Sequence, residues 1–332
     1  TGTVDWQTSS IKTSTFTAAN GEGYFVDTSS GSITANLPAG SAGAIVSFSD
    51  YTRTFGTNNL LVTPNGSEKI GGVAQSAYLN INGQAITLVY VDATEGWINI
   101  QNAEDTETGI TPAFVAATGG TITTVCTNFK VHTFTGPGTF CVSNAGNAAG
   151  SSKVDYIVVA GGGGGGGGRG GGAGAGGFRE GLNPGSYTAS PLATTALPVT
   201  AQGYPIVIGG GGSGGQYSGP VATAGSTSSF STISSAGGGL GGGESNPASG
   251  AGGSGGGGAR DGSAGAGNTP PVSPPQGNNA GAPFFPTDSG GSGGGATATG
   301  GAGSTPTGGA GGAGATTSIN ATPTAFAGGG GG

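Results

Sequence analysis

The sequence predicts an all-β protein: an N-terminal β-sandwich or barrel-like domain, a small second β-unit and a C-terminal bundle of polyglycine II helices. Three observations predict it. Short runs rich in β-branched and aromatic residues recur at intervals near 10 residues, the spacing of sandwiches and barrels. Helix signals are almost absent. Of 80 glycines, 19 precede residue 151, which leaves 61 in the last 182 of 332 positions.

Residues 1–102 form the first β-domain. Its strand-like runs include Tyr24-Phe25-Val26, Ile33 to Leu37, Ala44 to Phe48, Leu60 to Thr63, Ala85 to Val91 and Trp97 to Ile100. Turn chemistry separates them at Ser30-Gly31, Pro38-Ala39-Gly40, Pro64-Asn65-Gly66 and Asn82-Gly83. In Ala85 to Val91, apolar residues occupy both alternating sets, which predicts a strand covered on both faces. The opening segment, residues 1–18, has few turn residues and apolar positions at Val4, Trp6, Ile11 and Phe16. It has two readings: the first strand of its own domain, or a strand that pairs with an exposed edge on a neighbouring subunit.

An acidic linker, 103–111, precedes the second β-unit, 112–160. Within that unit, Asn128 to Thr135 and Thr139 to Val142 flank the turn Gly136-Pro137-Gly138 and read as a hairpin. Such a hairpin would face Cys126 with Cys141, the only two cysteines. A bridge closing that loop would contribute about 3 kcal/mol and imply an oxidising location. Two unpaired buried thiols are the alternative.

The strand-like run Val154 to Val159 leads into eight consecutive glycines, Gly161 to Gly168, and opens the glycine-rich block 161–332. Glycine loses the most backbone freedom on folding, so a flexible coil is the default for such a stretch. Three features oppose it. Apolar runs such as Val154 to Val159 and Pro205 to Ile208 enter the glycines. Non-glycine residues inside the runs are almost all Ala or Ser, as in Gly308-Gly309-Ala310-Gly311-Gly312-Ala313-Gly314, a period of three. Lys, Glu and Gln, which keep linkers soluble, are scarce. A period of three is that of the polyproline II helix, which has no internal hydrogen bonds and rises about 3.1 Å per residue. Packed side by side, such rods donate to and accept from one another, and only glycine permits the approach.

Composition excludes several functions. The net charge is −7; past residue 160 only Arg169, Arg179 and Arg260 oppose Glu180, Glu244, Asp261 and Asp288. No cluster of Lys and Arg exists to neutralise phosphates, so nucleic acid is not an expected partner. No apolar run reaches the roughly 20 residues of a membrane span, so no membrane insertion is expected. Thr at position 1 and the absence of Met suggest a processed chain or a piece of a longer one.

No catalytic, cofactor or metal site is expected, and the chain does not read as an enzyme. Glycines after Val158-Val159-Ala160 fit a dinucleotide fingerprint only because the run is long, and Asn183-Pro184 precludes the helix that motif requires. His132, the sole histidine, has no motif that would orient it as a base. The acids Asp92, Glu95, Glu104, Asp105 and Glu107 lack calcium-loop spacing and read as a solvated face. One His and two Cys cannot make a zinc site. The segments between glycine runs are the candidates for recognition: Tyr217 and Pro220 in one, and Pro271, Pro275, Phe284 and Phe285 in the segment Asn268 to Asp288. Aromatics on a rigid scaffold make strong contacts at low entropic cost. The other reading of Phe284 and Phe285 is a cap on the bundle edge.

The pattern Lys130 to Thr135, Gly138-Thr139-Phe140 and Val154 to Ala160 before poly-Gly resembles a glycine-rich domain common in marine bacteria and their phages. Tyr204 to Gly209 and Ser228 to Ile233 fit it too, so the likeness covers about 112–332. The N-terminal domain, with Tyr24 to Thr28 and Thr87 to Thr94, is similar to modules in structural proteins of marine phages. In texture the glycine block also resembles the adhesin tips of T-even-type tail fibres, in which loops between polyglycine helices bind the receptor. The resemblance implies a phage tail-fibre or virion-surface protein, extracellular, binding a host-cell glycan or outer-membrane protein and assembling with other copies of itself. A subunit of an extracellular filament, trimer or polymer, is the alternative. An ice-binding protein is a third reading and would need threonines in a regular row; Thr297, Thr299, Thr305 and Thr307 are irregular.

Overall fold

The computed structural model describes residues 4–101, 112–125, 128–147, 150–185 and 187–332. The chain divides into two compact units, Thr1–Ala113 with Ala148–Gly150, and Phe114–Asn147 with Ser151–Gly332. The linker expected at 103–111 lies outside the described residues.

The fold is all-β. The first unit contains β1 (Asp5–Trp6), β2 (Phe16–Thr17), β3 (Glu22–Val26), β4 (Ile33–Asn36), β5 (Ile45–Asp50), β6 (Leu60–Thr63), β7 (Ala77–Leu79), β8 (Ala85–Asp92) and β9 (Gly96–Asn99). Two sheets, ordered β1-β3-β5-β8-β9 and β2-β4-β6-β7, enclose one core, so the unit is a sandwich and not a barrel. The spacing that points to a sandwich or barrel leaves the pairing open, and the pairing is not a succession of hairpins. From β1 to β6 the chain crosses to the other sheet after every strand and pairs in parallel with the strand before last. Gly23 faces Ser47 in one sheet and Ile33 faces Leu60 in the other. The first part is therefore a winding of stacked rungs, closed by antiparallel β7, β8 and β9.

Each rung contributes one apolar side chain per inward position. Val26, Ala35, Val46, Phe48, Leu60, Val62, Leu79, Leu88 and Trp97 are buried together, and each large side chain removed from water contributes about 1.5–3 kcal/mol. In β8 only Ile86 and Leu88 are buried; Thr87 and Val89 are half-exposed and Val91 is 51% exposed. The strand is covered on one face, not two. Asn82-Gly83 is a corner between sheets, since β7 and β8 belong to different ones. The buried carboxylate of Asp50 fixes that corner by accepting from the backbone N–H of Thr54, Phe55 and Gly83.

The segment around Val4, Trp6, Ile11 and Phe16 supplies the outermost rung of this unit. β1 pairs with β3 and β2 with β4, Lys12 bridges to Val26, and Phe16 packs against the core. Of its two readings, the first holds within this chain.

The second unit begins with β10 (Val115–Thr118), β11 (Thr121–Val125), β12 (Phe129–Thr133), β13 (Gly138–Ala145), β14 (Lys153–Val154) and β15 (Tyr156–Val159). Later strands come from excursions out of the glycine block: β16 (Phe178–Leu182), β17 (Ala193–Thr195), β18 (Leu197–Pro198), β19 (Gly203–Val207), β20 (Ser228–Phe230), β21 (Ile233–Ser235), β22 (Ala315–Thr317) and β23 (Thr324–Phe326). The sheet β10-β13-β19-β20-β21 and the sheet β15-β16-β17 join the two regions, so 112–160 is not a separate unit. Phe140, Tyr156, Tyr204, Ile206 and Phe230 fill the core that they share.

The hairpin expected across Gly136-Pro137-Gly138 does not form. β12 pairs with β11, while β13 pairs with β10 and β19. Cys141 sits opposite Thr118 and Gly203 and is an exposed free thiol; Cys126 lies outside the described residues. His132 is structural: its Nδ1 lies 2.8 Å from the carbonyl oxygen of Gly119 and its ring meets Phe140 edge-on.

Candidate recognition end of a glycine lattice

The glycine block is ordered as rods that hold one another by backbone hydrogen bonds. In chain order they cover 161–167, 170–177, 209–215, 222–226, 237–243, 247–252, 254–259, 262–267, 276–282, 289–295, 299–303, 308–314 and 327–332. The period of three is explicit in rod 170–177. Gly171, Gly174 and Gly177 donate to the carbonyls of Gly242, Gly239 and Ala236, while Gly172 and Ala175 donate to Gly291 and Gly294. Successive N–H groups thus turn by a third of a circle, as polyproline II geometry requires. Rod 254–259 bonds to all of 170–177, 237–243, 247–252, 262–267, 276–282 and 289–295, and its residues are buried. A helix without internal hydrogen bonds can be buried only in this way.

Close approach, not backbone freedom, selects glycine here. Within these rods no glycine has a positive φ. Instead, a Cβ at Gly166 would collide with the carbonyl of Gly242, and one at Gly257 with that of Gly291.

Bond register shows that successive rods run in opposite senses, giving the lattice two ends. One end carries the strands β15 to β23 and the proline-rich segment 268–275. That segment is fastened there by Gln276, whose backbone carbonyl accepts from Phe178 and whose buried side chain bonds to Ala236 N–H and the Pro270 carbonyl. The other end consists only of turns, at 168–169, 216–221, 244–246, 260–261, 283–288 and 304–307.

The expected recognition residues therefore separate. Pro271 and Pro275 are exposed at the strand end. Tyr217, Pro220, Phe284 and Phe285 lie at the loop end, because 276–282, inside the segment read as a single loop, is itself a rod. Tyr217 and Phe285 are 64% and 58% exposed, and Val221 and Phe284 are also open to solvent. Phe284, at 39% exposure, is the less open of the two adjacent rings.

The loops at this end are tied together. Tyr217 rests on Gly168, where a Cβ would collide with its ring. The adjacent Arg169 pairs with Asp288, next to the short 3-10 turn Phe285–Thr287. Ser245 donates to the Tyr217 carbonyl, and Arg260 pairs with Glu244 at 3.0 Å. Arg169, Arg260 and Asp288 all hold positive φ, a conformation costing about 1–2 kcal/mol that persists only where surroundings enforce it. In the sequence these four charges interrupt Gly/Ala/Ser-rich texture and carry no motif.

The threonines that an ice-binding face would need are dispersed. Thr297 and Thr299 lie at the strand end, and Thr305 and Thr307 at the loop end. Among the described residues no three His, Cys, Asp or Glu side chains gather as a metal would require, and no helix is long and apolar enough to cross a membrane.

Residues 133–332 match the family described as Glycine-rich domain. The chain belongs to that family. The match takes in the glycine-rich domain's rods, both lattice ends and most strands of the second unit. No curated protein matches the chain.

Proposed function

We propose that this chain is an adhesive structural protein of a phage tail fibre or virion surface, and that its loop end binds a receptor on a host cell, either a surface glycan or an outer-membrane protein. It acts outside the cell and by binding, not catalysis. One observation carries the reading: Tyr217, Pro220, Phe284 and Phe285 stand exposed at one end of a hydrogen-bonded lattice, on turns cross-tied by Arg169–Asp288 and Arg260–Glu244. Rings held on a rigid base lose little entropy on binding and present flat apolar faces to sugars or to protein.

The test is adsorption of fluorescently labelled protein to a panel of marine bacterial cells, with Tyr217→Ala/Phe285→Ala beside the wild type. Both side chains are exposed, so the variant should unfold like the wild type yet lose cell binding. Full binding by the variant would overturn the assignment of the loop end.

A filament subunit is the second reading, and it draws on β1 and β2. They are the outermost strands of their sheets, and an open strand edge pairs with another chain unless it is blocked. Electron microscopy of native particles separates the two: a fibre tip on a capsid-bearing particle supports the adhesin, and a continuous polymer of this chain supports the filament. Trimeric or polymeric assembly with other copies belongs to both.

A further inference from the structure

The rods lie on a hexagonal net. Around rod 170–177 the neighbours run in the order 161–167, 237–243, 254–259, 289–295 and 327–332, and each is hydrogen-bonded to the next. The remaining position, between 161–167 and 327–332, is open, and a groove of about 440 Å³ occupies it. Its lining is glycine and alanine apart from Val159, without a charged side chain.

The backbone groups that face the groove keep hydrogen-bonding capacity unmatched by neighbouring rods. The N–H groups of Ala173 and Gly176 continue the three-residue series of rod 170–177 into it, and neither has a backbone partner among the described residues. By the same three-residue turn, the carbonyls of Gly163 and Gly166 face it from one side and those of Gly328 and Gly331 from the other, also without partners among the described residues. Donors in the middle and acceptors on both flanks, repeating every third residue, complement a bare backbone in the polyproline II conformation and little else.

A second re-entrant position exists beside rod 237–243, between 222–226 and 247–252. There Leu240 stands where an added rod would lie, against Gly250 and near Val221 and Ala222. The equivalent place in the open groove carries Ala173. One notch is plugged by a side chain and the other is left clear.

We infer that the groove along Ala173 and Gly176 is a docking site for one glycine-rich segment of a second polypeptide, which binds as an additional polyglycine II rod. It donates to Gly163, Gly166, Gly328 and Gly331 and accepts from Ala173 and Gly176. Only glycine fits on the sides facing the rods; Ala or Ser is accommodated on the side facing water.

The test uses the full chain and a fluorescein-labelled peptide of repeating Gly-Gly-Ser, with repeating Val-Ser-Ser as control. Expected are saturable anisotropy for the glycine peptide alone and slowed amide exchange at Ala173 and Gly176. Ala173→Leu, which copies the Leu240 plug, should weaken binding by about tenfold or more. Exchange in the wild-type protein decides the matter independently of how that variant folds. No saturable binding, equal binding of the control peptide, or protection elsewhere than Ala173 and Gly176 would overturn the inference.

Discussion

Adjacent glycines in one rod should respond oppositely to the same methyl group. At Gly166 a Cβ would collide with the carbonyl of Gly242, far inside the 3.4 Å of ordinary contact, and that atom belongs to a rod that cannot swing aside. At Gly165 nothing lies within 4 Å of the added carbon. Accommodating Gly166→Ala means separating rods 161–167 and 237–243, which are joined by Gly241 N–H to the Gly164 carbonyl at 2.9 Å. Glu244 N–H to the Gly167 carbonyl at 3.0 Å lies on the same seam. Two such bonds contribute about 1 kcal/mol each and overpacking costs about 1–3 kcal/mol, so the expected loss is about 3–5 kcal/mol. Gly165→Ala carries neither cost; by restricting the unfolded chain it should be neutral or stabilising by up to about 1 kcal/mol. Differential scanning calorimetry measures both against the wild type. Equal effects at the two positions would refute the reasoning, because in a solvated coil neighbouring glycines are interchangeable.

Three further outcomes are expected. Glu180, 1% exposed, accepts from Tyr187, from Ser190 twice and from Thr317, tying the 178–208 and 315–326 excursions together; Glu180→Ala should destabilise the second unit by about 3 kcal/mol, seen as a downshift of its calorimetric transition alone. In the first unit, burial and then the hydrogen bond to Glu22 push the Tyr24 phenol up to about 12 from an ordinary 10.0. The folded state holds that proton more tightly, so its contribution is complete below pH 10 and lost as pH rises towards 12; Tyr24→Phe should flatten this alkaline fall in a pH series of urea midpoints. Cys141, exposed and free, should be alkylated by iodoacetamide in native, unreduced protein, whereas labelling only after reduction would establish a disulfide.

The glycine lattice was legible because its evidence is local. A period of three, interruptions that are almost all Ala or Ser, and strands leading into the runs all bear on rod geometry directly. What the sequence hid was non-local pairing. Parallel rungs in the first unit leave the same alternating pattern as hairpins, since burial on one face dictates a period of two whichever strand lies alongside. Gly136-Pro137-Gly138 has hairpin chemistry, yet the strands it joins find other partners because β19, more than 60 residues further on, lies against β13. Rod 276–282 has the sequence texture of a loop because it carries only Gly277 and Gly281. It is held by backbone bonds from Asn278, Ala280 and Gly281 to neighbouring rods, and the Asn278 side chain adds bonds to the carbonyls of Gly295 and Ala296. That rod separates Pro271 and Pro275 from Phe284 and Phe285, which lie at opposite ends of the lattice although one sequence segment carries all four.

Residue-resolved amide exchange of the native protein tests the lattice most directly. Gly171, Gly172, Gly174 and Ala175 donate to neighbouring rods whereas Ala173 and Gly176 face the open groove, so protection along this rod should rise and fall every third residue. Uniformly fast exchange from Gly170 to Gly177 would contradict the lattice, and the rigid loop end with it.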